Sequence, residues 1–285
     1  MQFQFLDQVA EIAGHGTDNN HILMSSHSAA TITPIQNATI TLFEFDGKNV
    51  LTNPANKMDV IKSLSAGLIT FSENEARISI NNFIRGSDGP VLFTEGVSDE
   101  VILEIAWEKL YGDKCHFGIQ NAFDHTFLRG LFSRTDLSIN FPNRKMFALF
   151  DFDDAYNSWN GFKNCTPVEE DPYKGLAKQL SYEHHFAILL PVPQNATIKS
   201  QVLNEDDKAW AACGSSSSLS IELLFYGFEG MNDHFVEKSI CGGGKVVSFI
   251  GNKVNFAENI ISKLPAAAFK PFRPMFDLIS RVRTH

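Results

Sequence analysis

The spacing of apolar positions changes character near residue 90. Upstream, Leu6, Val9, Ile12 and Ala13 recur at helical spacing. A Gly/Asn-rich break follows, then a short apolar strand over 22–24 that ends in Ser25-Ser26-His27-Ser28. After Pro34 the stretch ATITLFEFDGKNVLT alternates apolar and polar residues, which predicts a hairpin turning at Asp46-Gly47. The pattern over 58–68 predicts a helix. Residues 73–90 are polar and end in RGSDGP, so a domain boundary is expected there, dividing the chain into 1–86 and 87–285.

From Pro90 onward strands and helices alternate. VLFTEG reads as a strand, and SDEVILEIAWEKL as an amphipathic helix with Ser98 as its N-cap. CHFGIQ is a strand, AFDHTFLRGLF a helix and KMFALFDFDDA a buried strand. A polar loop, a helix over YKGLAKQL and a strand over HHFAILLPVP follow. Such alternation predicts an α/β domain whose parallel sheet is covered by helices, with its site beyond the carboxyl ends of the strands. Further on, GSSSSLS reads as a mobile loop and IELLFYG as the start of a helix. GGGKVVSFIGNK predicts a hairpin leading into the helix VNFAENIISKL, and FKPFRPMFDLISRV spaces its Phe residues helically.

Composition narrows the function. A chain of 285 residues that is 44% hydrophobic, with 25 Phe, can bury an aromatic core. The net charge of −9 argues against a protein that only coats nucleic acid, although residues 245–285 form a local basic stretch, seven Lys/Arg against two acids. Cys115, Cys165, Cys213 and Cys241 form no CxxC pair, so free thiols in a reducing cytoplasm are expected. No apolar run approaches the roughly 18 residues of a membrane span, and Asp7 and Glu11 interrupt any signal-type block. The Asn-x-Ser/Thr matches at Asn37, Asn164 and Asn195 are then expected to be chance.

The candidate chemistry lies at two strand ends. Glu95 closes the first strand and Asp99 opens the next helix, while Asp151, Asp153 and Asp154 close KMFALFDFDDA. Parallel strands bring those ends to one sheet edge, where like charges resist joint ionisation. A hard divalent cation removes that penalty; Mg²⁺ takes oxygen ligands from a few carboxylates and a substrate phosphate. The alternative is that Glu95 and Asp99 merely favour the positive end of the following helix.

Glu-Gly-x-x-Asp after one strand and Asp-x-Asp after another resemble the Toprim domain of topoisomerases, primases and OLD-family nucleases, over about residues 88–200. The resemblance implies that Glu95 is the general acid/base as well as a metal ligand. It implies that Asp151 and Asp153 bind Mg²⁺ or Mn²⁺, with Asp99 as helper or further ligand. ILMSSHSAATI resembles the last strand and switch histidine of ABC-type ATPases, His27 being the matching residue and Ala29 standing for the usual Pro. An ATPase tail followed by a Toprim domain is the OLD order. The expected fold is therefore a Toprim-like parallel sheet flanked by helices, with a C-terminal helical extension, preceded over 1–86 by a small α+β remnant of an ATPase domain. The resemblance also implies roles for Glu222, as a late metal ligand, and Lys253, which would stabilise charge on the transferred phosphate. The alternatives are a solvated helix acid and a surface lysine. His184 and His185 alternate faces of a strand, and neither is assigned to the site.

The departure is the ATPase half. No G-x-x-x-x-G-K-S/T occurs, and CGGGKVV has the wrong spacing. The chain thus resembles the C-terminal part of an OLD protein, truncated, split or re-evolved, with His27 a remnant unless another chain supplies the nucleotide site. The expected activity is a metal-dependent DNA endonuclease or nickase in bacterial or phage defence. Water would attack a phosphodiester in line, with one or two divalent ions stabilising both oxygens. The basic C-terminal segment would approach the DNA backbone. An ATPase chain or a second copy are the expected protein partners, and no membrane is. The rivals are a haloacid-dehalogenase-type phosphatase, whose D-x-D-x-T motif FALFDFDDA resembles with Ala155 in place of Thr, and a non-catalytic fragment that binds an ATPase.

With no loop to cradle β- and γ-phosphates, the purified chain is expected not to turn over ATP. Steady hydrolysis that survives purification and is abolished by His27→Ala would contradict this.

Overall fold

Two uninterrupted apolar runs set the architecture. Residues Val91–Thr94 and Met146–Phe150 are buried at every position, so each strand has both faces covered and must lie inside a sheet. The protein is described here from a computed structural model, which covers residues 40–45, 50–55, 73–239 and 245–283 together with Ser25. The chain divides into two compact units, Met1–Gly86 and Ser87–His285.

In the first unit β1 (Ile40–Phe45) and β2 (Val50–Ala55) pair antiparallel, as the alternation predicts, with Phe45 opposite Val50. Their turn at Asp46-Gly47, the helices predicted over 6–13 and 58–68, the strand over 22–24 and His27 lie outside the described residues. A helix α1 (Glu73–Gly86) occupies most of the polar stretch in which the domain boundary is expected. Ile80 and Ile84, one helical turn apart and buried, are its apolar signal, diluted by polar neighbours.

The second unit holds a six-stranded sheet in the order β4-β3-β5-β8-β7-β6, with β3 (Val91–Thr94), β4 (Gly118–Asn121), β5 (Met146–Phe150), β6 (Thr166–Glu169), β7 (Ala177–Gln179) and β8 (His185–Leu189). β4, β3, β5 and β8 run parallel; β7 pairs antiparallel with β8, and β6 antiparallel with β7. The sheet is therefore mixed rather than wholly parallel. The chain leaves β3 toward β4 on one side, and after β5 continues toward β8 on the other. The switch point lies between β3 and β5, where such sheets form their crevice.

The antiparallel edge replaces a predicted helix over YKGLAKQL. Leu176, Ala177 and Leu180 have spacing that suits a helix, but Pro172 begins a turn and Gly175 sits at φ +88°. A Cβ at Gly175 would stand 2.9 Å from the Leu189 carbonyl, so only glycine fits. The chain then adds to the open edge of β8, Ala177 opposite Ile188. A free strand edge outweighs a short run's own preference.

Helix α2 (Val97–Tyr111) packs on β3 and β4. Its N-cap is Gly96, not the expected Ser98, and Asp99 at the third helical position accepts the Gly96 N–H at 2.9 Å. It ends at Gly112, at φ +75°, whose N–H reaches the Glu108 carbonyl. Helices α3 (His125–Phe132) and α5 (Tyr156–Asn160) pack on β5 and β8, with α4 (Asp136–Asn140) between them in sequence. After α6 (Ala196–Val202) the serine run is held in place rather than left mobile. Ser217 is buried with its hydroxyl on the Val202 carbonyl, and Leu219 exchanges backbone hydrogen bonds with Phe152.

The hairpin expected within GGGKVVSFIGNK forms between β9 (Phe235–Ser239), an unrecognised partner upstream, and β10 (Lys245–Phe249). The predicted helix over VNFAENIISKL is broken into α7 (Lys253–Asn255), a π turn over Phe256–Ile260 and a 3-10 turn over Ile261–Lys263. A 3-10 segment, Ala266–Phe272, leads into α8 (Arg273–Arg283). Among the described residues no helix is long and apolar enough to cross a membrane, and Cys115, Cys165 and Cys213 are free thiols. Cys241 lies outside them.

α8 is tied to α2 by Phe276, which is fully buried and meets Trp107 edge-on at 5.2 Å, with Tyr111 and Phe117 beyond. Phe276→Ala is expected to cost about 3–5 kcal/mol. The check is the urea midpoint at unchanged slope; a cost below about 1 kcal/mol would show that this cluster does not hold the C-terminal helix.

Candidate functional site

β3 and β5 are hydrogen-bonded neighbours, so the residues that follow them emerge side by side at the switch point. Glu95 turns across the gap, and its Oε1 accepts the Asp151 backbone N–H at 2.8 Å. The Asp151 Oδ1 accepts the Ile221 N–H at 3.2 Å, which docks the 3-10 turn Ile221–Phe225 against the strand end. That turn carries Glu222, fully buried, with its Oε2 taking the Ser220 hydroxyl at 2.7 Å. The Glu222 Oε1 accepts no well-formed hydrogen bond; it faces the Lys253 ammonium at 3.0 Å. Asp153 caps its own turn, with Oδ1 on the Ala155 N–H at 3.0 Å. Glu95, Asp151, Glu222 and Lys253 are thus joined contact by contact, and Asp99 and Asp153 lie close enough for their charges to act on Glu95. Glu222 is not a solvated helix acid, and Lys253, half exposed at its side chain, is ion-paired to a buried carboxylate.

Crowding leaves a mark on the carboxyls. Burial raises Glu95 from 4.5 to about 8, with Asp153 and Asp99 adding to the rise and the Asp151 N–H and Lys253 opposing it. Burial also lifts Asp99 from 3.8 to about 6, with Glu222 contributing. Asp151 stands well above its ordinary value through burial and then the charges of Asp99, Glu95, Asp153 and Glu222. Asp153 is raised by burial as well. Burial pulls the Lys253 ammonium down, but Glu222, Asp151 and Asp99 outweigh it and its pKa rises. The site is a charge cluster short of positive charge.

The donor set fits a hard divalent cation: it is all oxygen and anionic, and its buried Glu222 Oε1 is met, among the described residues, only by the Lys253 ammonium. Among the described residues no group of three or more His, Cys, Asp or Glu is already gathered at ligating spacing. The carboxylates of Glu95, Asp99, Asp151 and Asp153 are each engaged with a backbone N–H instead.

The basic C-terminal stretch is not one free surface. Lys245 pairs with Glu237, Arg281 with Glu169 and Lys253 with Glu222. His185 is buried among aromatic rings, with its imidazole pushed down to about 4 by burial, then His184. It starts β8, at the opposite end of the strand from the acids.

Two residues at the site escape sequence reasoning. His125 opens α3 just beyond β4, on the same sheet edge, and its Nδ1 lies 2.9 Å from the Oγ of buried Ser158 on α5. The only sequence signal was a polar pair, Asp124-His125, shortly after a short strand. Glu100, also buried, accepts the Asn121 N–H and side-chain amide at 3.2 and 3.0 Å, tying the end of β4 to α2.

No protein-family model, curated protein or solved structure matches the chain.

The raised carboxyls make stability pH-dependent. Glu95 binds its proton more tightly folded than unfolded. Its contribution is therefore full below about pH 4.5 and is lost as pH rises through about 8; for Asp99 the corresponding window is 3.8 to about 6. In EDTA the melting temperature is expected to fall by about 4–8 °C between pH 6 and pH 8, and Glu95→Gln to flatten that fall. Added Mg²⁺ should raise the melting temperature more at pH 8 than at pH 6, since it competes with those protons. A flat wild-type profile in EDTA would contradict this electrostatic account.

Proposed function

We propose that the protein is a divalent-metal-dependent endonuclease of the OLD/Toprim type that hydrolyses a phosphodiester of DNA. The observation that carries this reading is the meeting of Glu95 with the Asp151 backbone at the switch point, with Asp99, Asp153, Glu222 and Lys253 around them. The motif order Glu95, Asp99, then Asp151 and Asp153, which resembles a Toprim domain, supports it independently. The antiparallel edge strands β7 and β6 lie outside the part of the sheet that bears the acids.

In this mechanism Asp99, Asp151, Asp153 and Glu222 would hold Mg²⁺ or Mn²⁺, which when bound supplies Lewis acidity to the phosphate. Glu95, raised to about 8 by burial and then its acidic neighbours, holds or releases a proton near neutral pH, as a general acid/base requires. Lys253, half exposed and ion-paired to Glu222 at 3.0 Å, would turn its positive charge toward a phosphate oxygen. The strand-end backbone holds these groups, so little reorganisation is needed when the substrate arrives. A role in defence against phage, with an ATPase chain or second copy as partner, is part of the same proposal.

Nicking of supercoiled plasmid is expected to need Mg²⁺ or Mn²⁺ and to stop in EDTA. Glu95→Gln should abolish it with the fold intact by circular dichroism. Asp153→Asn should reduce it at least about 10²-fold, with partial rescue by Mn²⁺. Wild-type cutting by Glu95→Gln would sink the reading. Phosphatase activity lost in Asp151→Asn but kept in Glu95→Gln would point to an aspartyl-phosphate enzyme instead.

A further inference from the structure

The turn after β4 carries the residue that the proposed chemistry leaves without a task. The Ala122 N–H reaches the Thr94 carbonyl at 2.8 Å, the residue just before Glu95, so this turn starts beside the acid cluster. It then bends tightly, the Asp124 N–H returning to the Ala122 carbonyl at 3.0 Å and Phe123 adopting φ +73°. A bulky residue in the left-handed region costs about 1–3 kcal/mol, and such strain gathers at functional sites. Asp124 then caps α3, its Oδ1 on the Phe127 N–H at 2.7 Å, which fixes where His125 begins the helix.

The imidazole is oriented as well. The Ser158 Oγ lies 2.9 Å from Nδ1, and Ser158 is on α5, the helix that follows the Asp151–Asp154 turn. His125 is only partly buried, and its Nε2 has no hydrogen-bond partner among the described residues. In the tautomer whose Nδ1 accepts the serine hydroxyl, the ring carries its proton on Nε2 and presents a donor there. The ring is close enough to Asp153 for its charge to be felt there, after burial, the Ala155 N–H and Asp154.

We infer that His125 is a substrate-contacting residue whose Nε2–H donates a hydrogen bond to an oxygen of the phosphodiester bound beside Asp153, with Ser158 as the positioning residue that sets the ring. The inference rests on the nuclease reading and extends it. A phosphate entering a site lined by carboxylates meets repulsion on that side, and a fixed donor on the β4 side offsets it without adding another anion.

The test is plasmid nicking by full-length wild type, His125→Ala, His125→Gln, His125→Asn and Ser158→Ala, with melting temperatures and the Mg²⁺ concentration for half-maximal rate. The expected result is a loss of about 10²-fold in His125→Ala at unchanged Mg²⁺ requirement. His125→Gln should be faster than His125→Asn, because the glutamine amide reaches the position of Nε2 and the asparagine amide that of Nδ1. Ser158→Ala should fall between wild type and His125→Ala. Wild-type cutting by His125→Ala would overturn the inference while leaving the nuclease reading standing. Equal losses in all three His125 variants with lowered melting temperatures would assign the residue to structure. A raised Mg²⁺ requirement in His125→Ala would make it a metal ligand and overturn the inference too. A wild type that cuts nothing in Mg²⁺ or Mn²⁺ removes the nuclease reading, and this inference with it.

Discussion

One hydrogen bond joins the two halves of the site. The Glu95 carboxyl accepts the Asp151 N–H at 2.8 Å and spans the ends of two parallel strands at the point where the sheet's winding reverses. From Asp151 the contacts continue outward: its Oδ1 holds the Ile221 amide, the Ile221 turn carries Glu222, and Glu222 holds Lys253. Each contact recruits a residue more distant in sequence, from 95 to 253, to one sheet edge. Burial first, and then the charges of neighbouring acids, raises the carboxyl pKa values of Glu95, Asp99 and Asp151. Such a cluster is costly to stability, and proteins retain strain of this kind where function needs it.

The framework around the cluster is built to resist it. β3 and β5 are buried along their whole length, and an aromatic cluster of Trp107, Phe117 and Phe276 binds the C-terminal helix to α2. A second cluster, Phe225 with Phe256, Phe269 and Phe272, packs behind the Glu222 turn. The many phenylalanines thus serve the site indirectly: they fix the two late segments that bring Glu222 and Lys253 to the strand ends. Buried carboxylates stay in place only when their backbone cannot relax away, and close aromatic packing supplies that rigidity.

Much of this was legible in the sequence, for a physical reason. β3 and β5 are short apolar runs that end abruptly in acids, and a buried parallel strand leaves little ambiguity about where its end emerges. The pairing of β1 with β2 was equally plain in its alternation. The signal failed where tertiary contacts decide. Pro172 and Gly175 turn the chain so that Ala177–Gln179 completes an open sheet edge, although the apolar spacing there is helical. The serine run looked featureless, yet Ser217 and Leu219 anchor it and thereby deliver Glu222. β9 was invisible because only Phe235 of its residues is buried. His125 was missed because its orientation comes from Ser158, thirty-three positions away, which no local pattern records.

We propose that these carboxylates form one cation site. Mn²⁺ binding followed by electron paramagnetic resonance on metal-free protein at pH 7.5 tests it without reference to activity. The account predicts saturable binding of Mn²⁺ by wild type, competed by Mg²⁺, and weakened at least about tenfold by Asp151→Asn and by Glu222→Gln in proteins that remain folded. Wild-type affinity in both variants, or no saturable binding at millimolar Mn²⁺, would contradict it.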